Sequence, residues 1–280
     1  MSIWEALPIL QNGLAACVIT ALVCSFLGVY VVLKRVVFVT AALSQTASLG
    51  IAGAMFLGAM IGGTGPDHIG SVWPIVAAVA ASCGLAAVLA FQHAERRLTR
   101  ESLLGVGYIV PSGIALLLLD YVGGATHDIE NLLFGNAVFV STAQVLVLAL
   151  VAAVVLGVHA LLYKEFVFVA FDLETAKASG MRTGALNQAL FASIGLTIAV
   201  TISSVGALPV FAFMVVPSAA ALLLTRRLAQ TFVLSAAIGV AAALIGFYAS
   251  FQWRLPTGPA MIAVASAFLV PGVLARRRSG

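Results

Sequence analysis

From residue 7 to residue 275 the chain is a succession of long apolar runs, with nearly all of its charge confined to the breaks between them. A transmembrane helix needs about 20 consecutive, mostly apolar residues. Read that way, the sequence predicts nine spans, at approximately 7–33, 36–62, 71–91, 103–121, 137–162, 187–205, 207–225, 228–250 and 259–275. Composition agrees: 62% of residues are hydrophobic and 9% charged, against roughly 25% charged in an ordinary soluble domain. So few charges cannot cover a soluble surface, and lipid must be the main solvent. The expected fold class is an all-α polytopic integral membrane protein. Eight or ten spans are the alternatives, because the run around 121–140 could dip back into the bilayer and the pair around 205–209 could be one broken helix.

Threading nine spans alternately puts Lys34, Arg35, Arg96, Arg97, Arg100, Lys164, Lys177, Arg182, Arg226, Arg227 and Arg276 to Arg278 on one side. That is 13 of the 14 basic residues, with Arg254 opposite. The positive-inside rule makes that side cytoplasmic, with the N-terminus outside and the C-terminus inside. An incorrect span count would have scattered these charges. The net charge of +4 therefore reports topology and gives no reason to expect nucleic acid as a partner; the tail ARRRSG reads as a topology anchor, with lipid contact the lesser option. The N-terminus, MSIWEALPIL, has no basic region ahead of its apolar run, so a removed signal peptide is not expected. Residues 1–280 read as one transmembrane domain, since the longest polar stretches are only 93–102, 123–131 and 163–184. Cys17, Cys24 and Cys83 lie inside apolar runs without CxxC spacing and read as small core side chains.

Enzymatic signatures are missing. The sequence has no GxxxxGK[ST] phosphate loop, HExxH zinc helix or GxSxG elbow. His68, His93, His127 and His159 fall in different segments without ligand spacing. No pair of acidic residues sits within a span at helical spacing, as a proton relay or an intramembrane hydrolase would require. Asp120, the nearest candidate, lies at a span end where the interface can solvate it.

Two segments stand out. The first, FDLETAKASGM (171–181), predicts a short helix with Asp172 capping its first turn, Glu174 favourably placed in the helix dipole, Ala176 within it and Gly180 closing it in the left-handed conformation. About two turns of helix are marginal alone. Either this is a connector at the membrane surface, or it packs against a cytoplasmic partner. The second, FVTAALSQTASLGIA (38–52), holds Thr40, Ser44, Gln45 and Ser48 inside a bilayer-spanning run. At 3.6 residues per turn these form one polar stripe. The stripe either faces a translocation path or is spent on bonds within and between helices.

At this point the chain resembles a known family. YKEF…FDLETAKASGM (163–181) is similar to the cytoplasmic loop of the permeases of bacterial ABC importers for zinc, manganese and iron, which typically read "fDpelAralGl". ENLLFGNAVFVS (130–141), VGALPVFAFMVVPSAAALLLTRRL (205–228) and IGVAAALIGFYASFQWRLPTGPAMI (238–262) resemble further family segments in the same order. The resemblance implies a type II importer bundle in the bacterial inner membrane that dimerises and binds a cytoplasmic ATPase. That ATPase would hold the ATP and Mg, so no cofactor is expected in this chain. An extracytoplasmic solute-binding protein would deliver cargo. Phe171, Asp172, Leu173, Glu174, Ala176 and Gly180 would form the coupling helix seated on the ATPase.

The resemblance also exposes a departure. Metal permeases usually read "GDALSHA" along the striped helix, an Asp and a His one turn apart. Here the segment is TAALSQT, with Ala41 in place of the Asp, Gln45 in place of the His, and Ser44 retained. The metal ligands are therefore unassigned. The cargo is either a divalent metal, held transiently by carbonyls, hydroxyls and water, or a metal chelate or other small solute. His127, Asp128 and Glu130 in an outward loop, and likewise Asp67 and His68, could meet an incoming cation or simply be solvated. Gly206, Pro209 and Pro217 predict a helix break, mobile or static. A partnerless channel or carrier, and a scaffold without transport, are the competing classes.

Overall fold

The computed structural model describes residues 3–60, 72–91, 100–121 and 140–278. Twelve helices lie among them: α1 (Ile3–Leu33), α2 (Val37–Met60), α3 (Val72–Phe91), α4 (Arg100–Tyr121), α5 (Thr142–Leu161), α6 (Tyr163–Phe171), α7 (Leu173–Ala178), α8 (Thr183–Val205), α9 (Ala207–Leu224), α10 (Leu228–Trp253), α11 (Thr257–Ala267) and α12 (Leu269–Arg278). Among the described residues nine stretches are long and apolar enough to cross a bilayer, α11 and the start of α12 together making the ninth. They match the predicted spans within a few residues. The 121–140 run, and with it His127, Asp128 and Glu130, lies outside the described residues, as do Asp67, His68 and His93.

Three local differences have clear causes. The fifth span starts at Thr142, not near 137, because Ser141 caps it: the Ser141 hydroxyl accepts from the Gln144 N–H at 3.2 Å while the Gln144 side chain accepts from the Ser141 N–H at 2.9 Å. This reciprocal S-x-x-Q arrangement is a capping box. Residues 163–171, read above as polar loop, form α6, because Phe166, Val169 and Ala170 share one face and bury it. Around 205–209 the chain forms two helices parted at Gly206, whose φ of 91° only glycine adopts readily. Pro209 sits in the first turn of α9 and Pro217 inside it, with the helix continuing through.

Between helices in lipid there is no hydrophobic driving force, so close packing of small residues and polar contacts must hold them together. Helix α1 runs through the centre, with Ala16, Cys17, Ala21, Cys24 and Leu27 fully buried, and packs on α9 and α10. Gly28 meets α9 so closely that a Cβ there would collide with the Met214 carbonyl. The Ser25 hydroxyl donates to the Phe213 carbonyl at 3.1 Å, and the Ser235 hydroxyl to the Ser25 carbonyl at 2.7 Å. Helix α2 is nearly enclosed by α3, α4, α8 and α9; Gly50 lies against the Ala77 backbone of α3, and Ala52 clusters with Ala115 and Leu119 of α4.

Candidate functional site

The polar stripe of α2 is buried along its length: Thr40, Ser44, Gln45 and Ser48 are 0%, 2%, 5% and 1% exposed. The structure divides it into two kinds of residue. Thr40 donates to the Val37 carbonyl at 2.6 Å, Ser44 to Ala41 at 3.1 Å and Thr46 to Ala42 at 2.8 Å. These hydroxyls are satisfied by their own helix, as Ser and Thr often are in apolar surroundings. The Ser48 hydroxyl has no partner, and the Gln45 amide forms no hydrogen bond among the described residues. An unpaired buried polar group is costly in lipid, so Ser48 stands apart from the hydroxyls that its own helix satisfies.

A metal centre of the usual kind does not assemble. Among the described residues no group of three His, Cys, Asp or Glu side chains comes together. His159, fully buried in α5, is committed to packing. Its Nδ1 lies 2.9 Å from the Val155 carbonyl, and its ring stacks on Phe166 with centroids 4.5 Å apart. Tyr30, Phe26 and Phe232 complete an aromatic cluster around these rings. The sequence reading missed this cluster because its members come from four separate segments. Asp120 is exposed at the end of α4.

The second candidate, α7, has the ends expected of it. The Asp172 side chain accepts from the Thr175 N–H at 3.0 Å and from the Thr175 hydroxyl. These two bonds, the hydroxyl's foremost, hold the Asp172 carboxyl below the usual carboxylate range. Glu174 lies in the first turn and pairs with Lys177 at 3.1 Å on the exposed surface, a pair worth only about 0.3–0.5 kcal/mol. Gly180 closes the helix at φ 76°, and the Met181 N–H reaches back to the Ala176 carbonyl at 3.2 Å, completing a Schellman motif. Ala176 is buried, while Phe171 (73% exposed) and Leu173 (36%) present apolar surface outward.

What carries α7 is firmly seated. Phe166 and Val169 of α6 are buried in the bundle, and the Lys34 ammonium, at the turn between α1 and α2, donates to the Val169 carbonyl at 3.3 Å. Thus the surface segment and the start of the striped helix share one corner of the molecule.

A bundle of bilayer-length helices, a buried polar stripe and a capped helix offering apolar side chains outward are the parts of a transporter's membrane component. The chain belongs to the ABC 3 transport family, whose model matches residues 6–276. It is 28% identical over 259 residues to the manganese transport system membrane protein MntC of Listeria monocytogenes, covering 92% of this chain and 87% of that one. It is 30% identical over 274 residues to the manganese transport system membrane protein MntD of Bacillus subtilis, covering 91% and 90%. The chelated iron transport system membrane protein YfeD of Yersinia pestis is 24% identical, covering 96% and 86%. Among solved structures, PsaBC from Streptococcus pneumoniae in complex with Fab superposes with a TM-score of 0.83 at 21% identity, covering 98% of this chain and 96% of that one. At that identity the likeness establishes the fold.

Proposed function

We propose that this chain is the membrane-spanning permease of an ATP-driven importer that moves a divalent transition metal, zinc, manganese or iron, across the bacterial cytoplasmic membrane. The observation that carries the reading is α7: a helix capped at both ends, offering Phe171 and Leu173 outward, on a chain whose family is one of ABC transport. A channel or partnerless carrier has no use for such a surface. ATP and Mg bind a separate cytoplasmic subunit seated on Phe171, Asp172, Leu173, Glu174, Ala176 and Gly180. A second copy of this chain completes the path, and a solute-binding protein delivers cargo from outside, where His127, Asp128 and Glu130 meet it. The N-terminus is outside and the C-terminus cytoplasmic, as the placement of 13 basic residues on one side supports. Thr40, Ser44, Gln45 and Ser48 face the translocation path.

A second reading, in which the cargo is a metal chelate, draws on the missing His, Cys, Asp or Glu cluster among the described residues. ATP-driven uptake in vesicles holding the permease, its ATPase and its binding protein, supplied with zinc, manganese, iron or their chelates, separates the two. Replacing Asp172 and Glu174 with Lys reverses the charge of the docking helix and abolishes uptake while the permease still inserts. Undiminished uptake by that variant would refute ATPase docking at α7.

A further inference from the structure

We propose that His159 is a positioning residue for ATPase coupling: its ring locks the elbow at which the arm carrying α7 leaves the bundle. The inference rests on the permease reading above and names what holds the docking helix in place.

The elbow is a single residue. Leu162 ends α5 and begins α6, with φ −103° and ψ 27° and no side-chain hydrogen bond capping the new helix. Backbone bonds flank it. The Leu162 N–H donates to the Val158 carbonyl at 3.0 Å, and the Phe166 N–H to the Leu162 carbonyl at 2.9 Å. The first closes α5 and the second opens α6, so neither sets the angle between the two helices.

Side-chain packing sets it. His159 lies about one turn before the elbow and Phe166 about one turn after. Both are fully buried, and their rings stack across the elbow with centroids 4.5 Å apart and planes 19° from parallel. Helix α1 backs the pair with Tyr30, 5.3 Å from His159 and 6.3 Å from Phe166, and with Phe26, 6.1 Å from His159. Phe232 of α10 lies 4.8 Å from Tyr30 and 5.6 Å from Tyr163, the first residue of α6. Aromatic contacts are directional, so they fix orientation as well as distance.

The imidazole nitrogens serve the same end. A carbonyl only accepts, so the Val155 carbonyl, 2.9 Å away, assigns the proton to Nδ1. That bond holds the ring plane that lies against Phe166. The Ser193 hydroxyl is 3.4 Å from Nε2 and makes a shorter bond, 2.8 Å, to the Leu190 carbonyl. Tyr30 contributes its ring alone, since its buried hydroxyl has no partner. At its far end α6 meets α7 at a second one-residue joint, Asp172, whose side chain closes on the Thr175 N–H at 3.0 Å. The first joint has no such cap, and the rings take its place. Coupling between distant sites is carried by packed side chains and rigid elements. An elbow free to swivel lets ATP hydrolysis proceed without transport.

The test is the number of ATP hydrolysed per ion taken up, in proteoliposomes holding the permease, its ATPase and its binding protein. Manganese(II), zinc(II) and iron(II) are supplied, each bare and as its citrate chelate. His159→Ala removes the stack and raises the ratio about tenfold for the cargo the wild type carries. His159→Phe keeps a ring against Phe166 and brings the ratio back towards the wild-type value. Leu148→Ala is the control: Leu148 is fully buried on the same helix, about three turns earlier. Its truncation lowers thermal stability and leaves the ratio unchanged. Phe166→Leu keeps apolar bulk without the ring, carries the same expectation as His159→Ala, and replaces it should that variant fail to insert. A wild-type ratio in His159→Ala or Phe166→Leu would overturn the inference, as would an equal rise in Leu148→Ala or no recovery in His159→Phe. Each of these leaves the permease reading standing. A wild-type complex that takes up none of these cargoes under ATP would overturn the permease reading, and the inference with it.

Discussion

The Ser25 hydroxyl donates to the Phe213 carbonyl at 3.1 Å, joining two helices 188 residues apart in sequence. Pro217, four residues beyond Phe213, is the reason that carbonyl is open: it cannot supply the helical donor. The expected cost of Ser25→Ala is about 1–3 kcal/mol, that of a buried acceptor left unpaired. In a Pro217→Ala background the new N–H satisfies Phe213, and the cost of Ser25→Ala shrinks. Thermal unfolding of the four proteins in detergent measures this coupling; equal costs in both backgrounds would contradict it.

Gly28 and Gly53 give opposite expectations for the same change. Gly28→Ala drives a methyl into the Met214 backbone carbonyl, which is not free to move aside. The expected destabilisation is about 1–3 kcal/mol or more. Nothing lies within 4 Å of a Cβ built at Gly53, so Gly53→Ala is neutral or slightly stabilising. Parallel melting curves of the two variants check the pair.

Asp172 sets how α7 responds to acid. Its carboxyl is held below the usual value by the Thr175 hydroxyl and N–H, so the folded group releases its proton more readily than the unfolded one. The cap's contribution is therefore complete above the ordinary Asp value of about 3.9 and is lost as pH falls through the lower, folded value. Amide exchange across residues 173–178 should show protection that is flat near neutral pH and declines only under strong acid. Asp172→Asn keeps an acceptor at the cap without the titration and should flatten that decline.

Orientation can be read with single cysteines in a background lacking Cys17, Cys24 and Cys83. A cysteine at Arg254, in the turn between α10 and α11, should react with a membrane-impermeant maleimide added outside intact cells. One at Arg226, in the turn between α9 and α10, should react only after the membrane is opened. The reverse pattern would invert the topology.

The span count was legible because length and apolarity alone decide whether a segment crosses lipid. Asp172 and Gly180 were legible because caps are local: the residues that close α7 are those in its own sequence. Partners across the bundle were not legible. Helix α4 is as apolar as a buried helix, yet Val106, Ile109 and Leu117 face outward, and lipid tails pose no penalty that would write this difference into the sequence. The same reasoning covers His159, whose place beside Phe166 and Tyr30 depends on four segments meeting. Within the stripe, the sequence does not separate its four polar side chains by role; only the structure sets Thr40 and Ser44, which bond to their own helix, apart from Gln45 and Ser48, which do not.

The seating of α6 has a mechanical consequence. Nine residues of helix span about 14 Å, and this length is pinned at Phe166 by the stack on His159 and at Val169 by Lys34. Phe171 therefore sits at the end of a helix held at two points along its length. Its anchor is the turn between α1 and α2, so the segment that carries Phe171 is tied to the place where the striped helix begins.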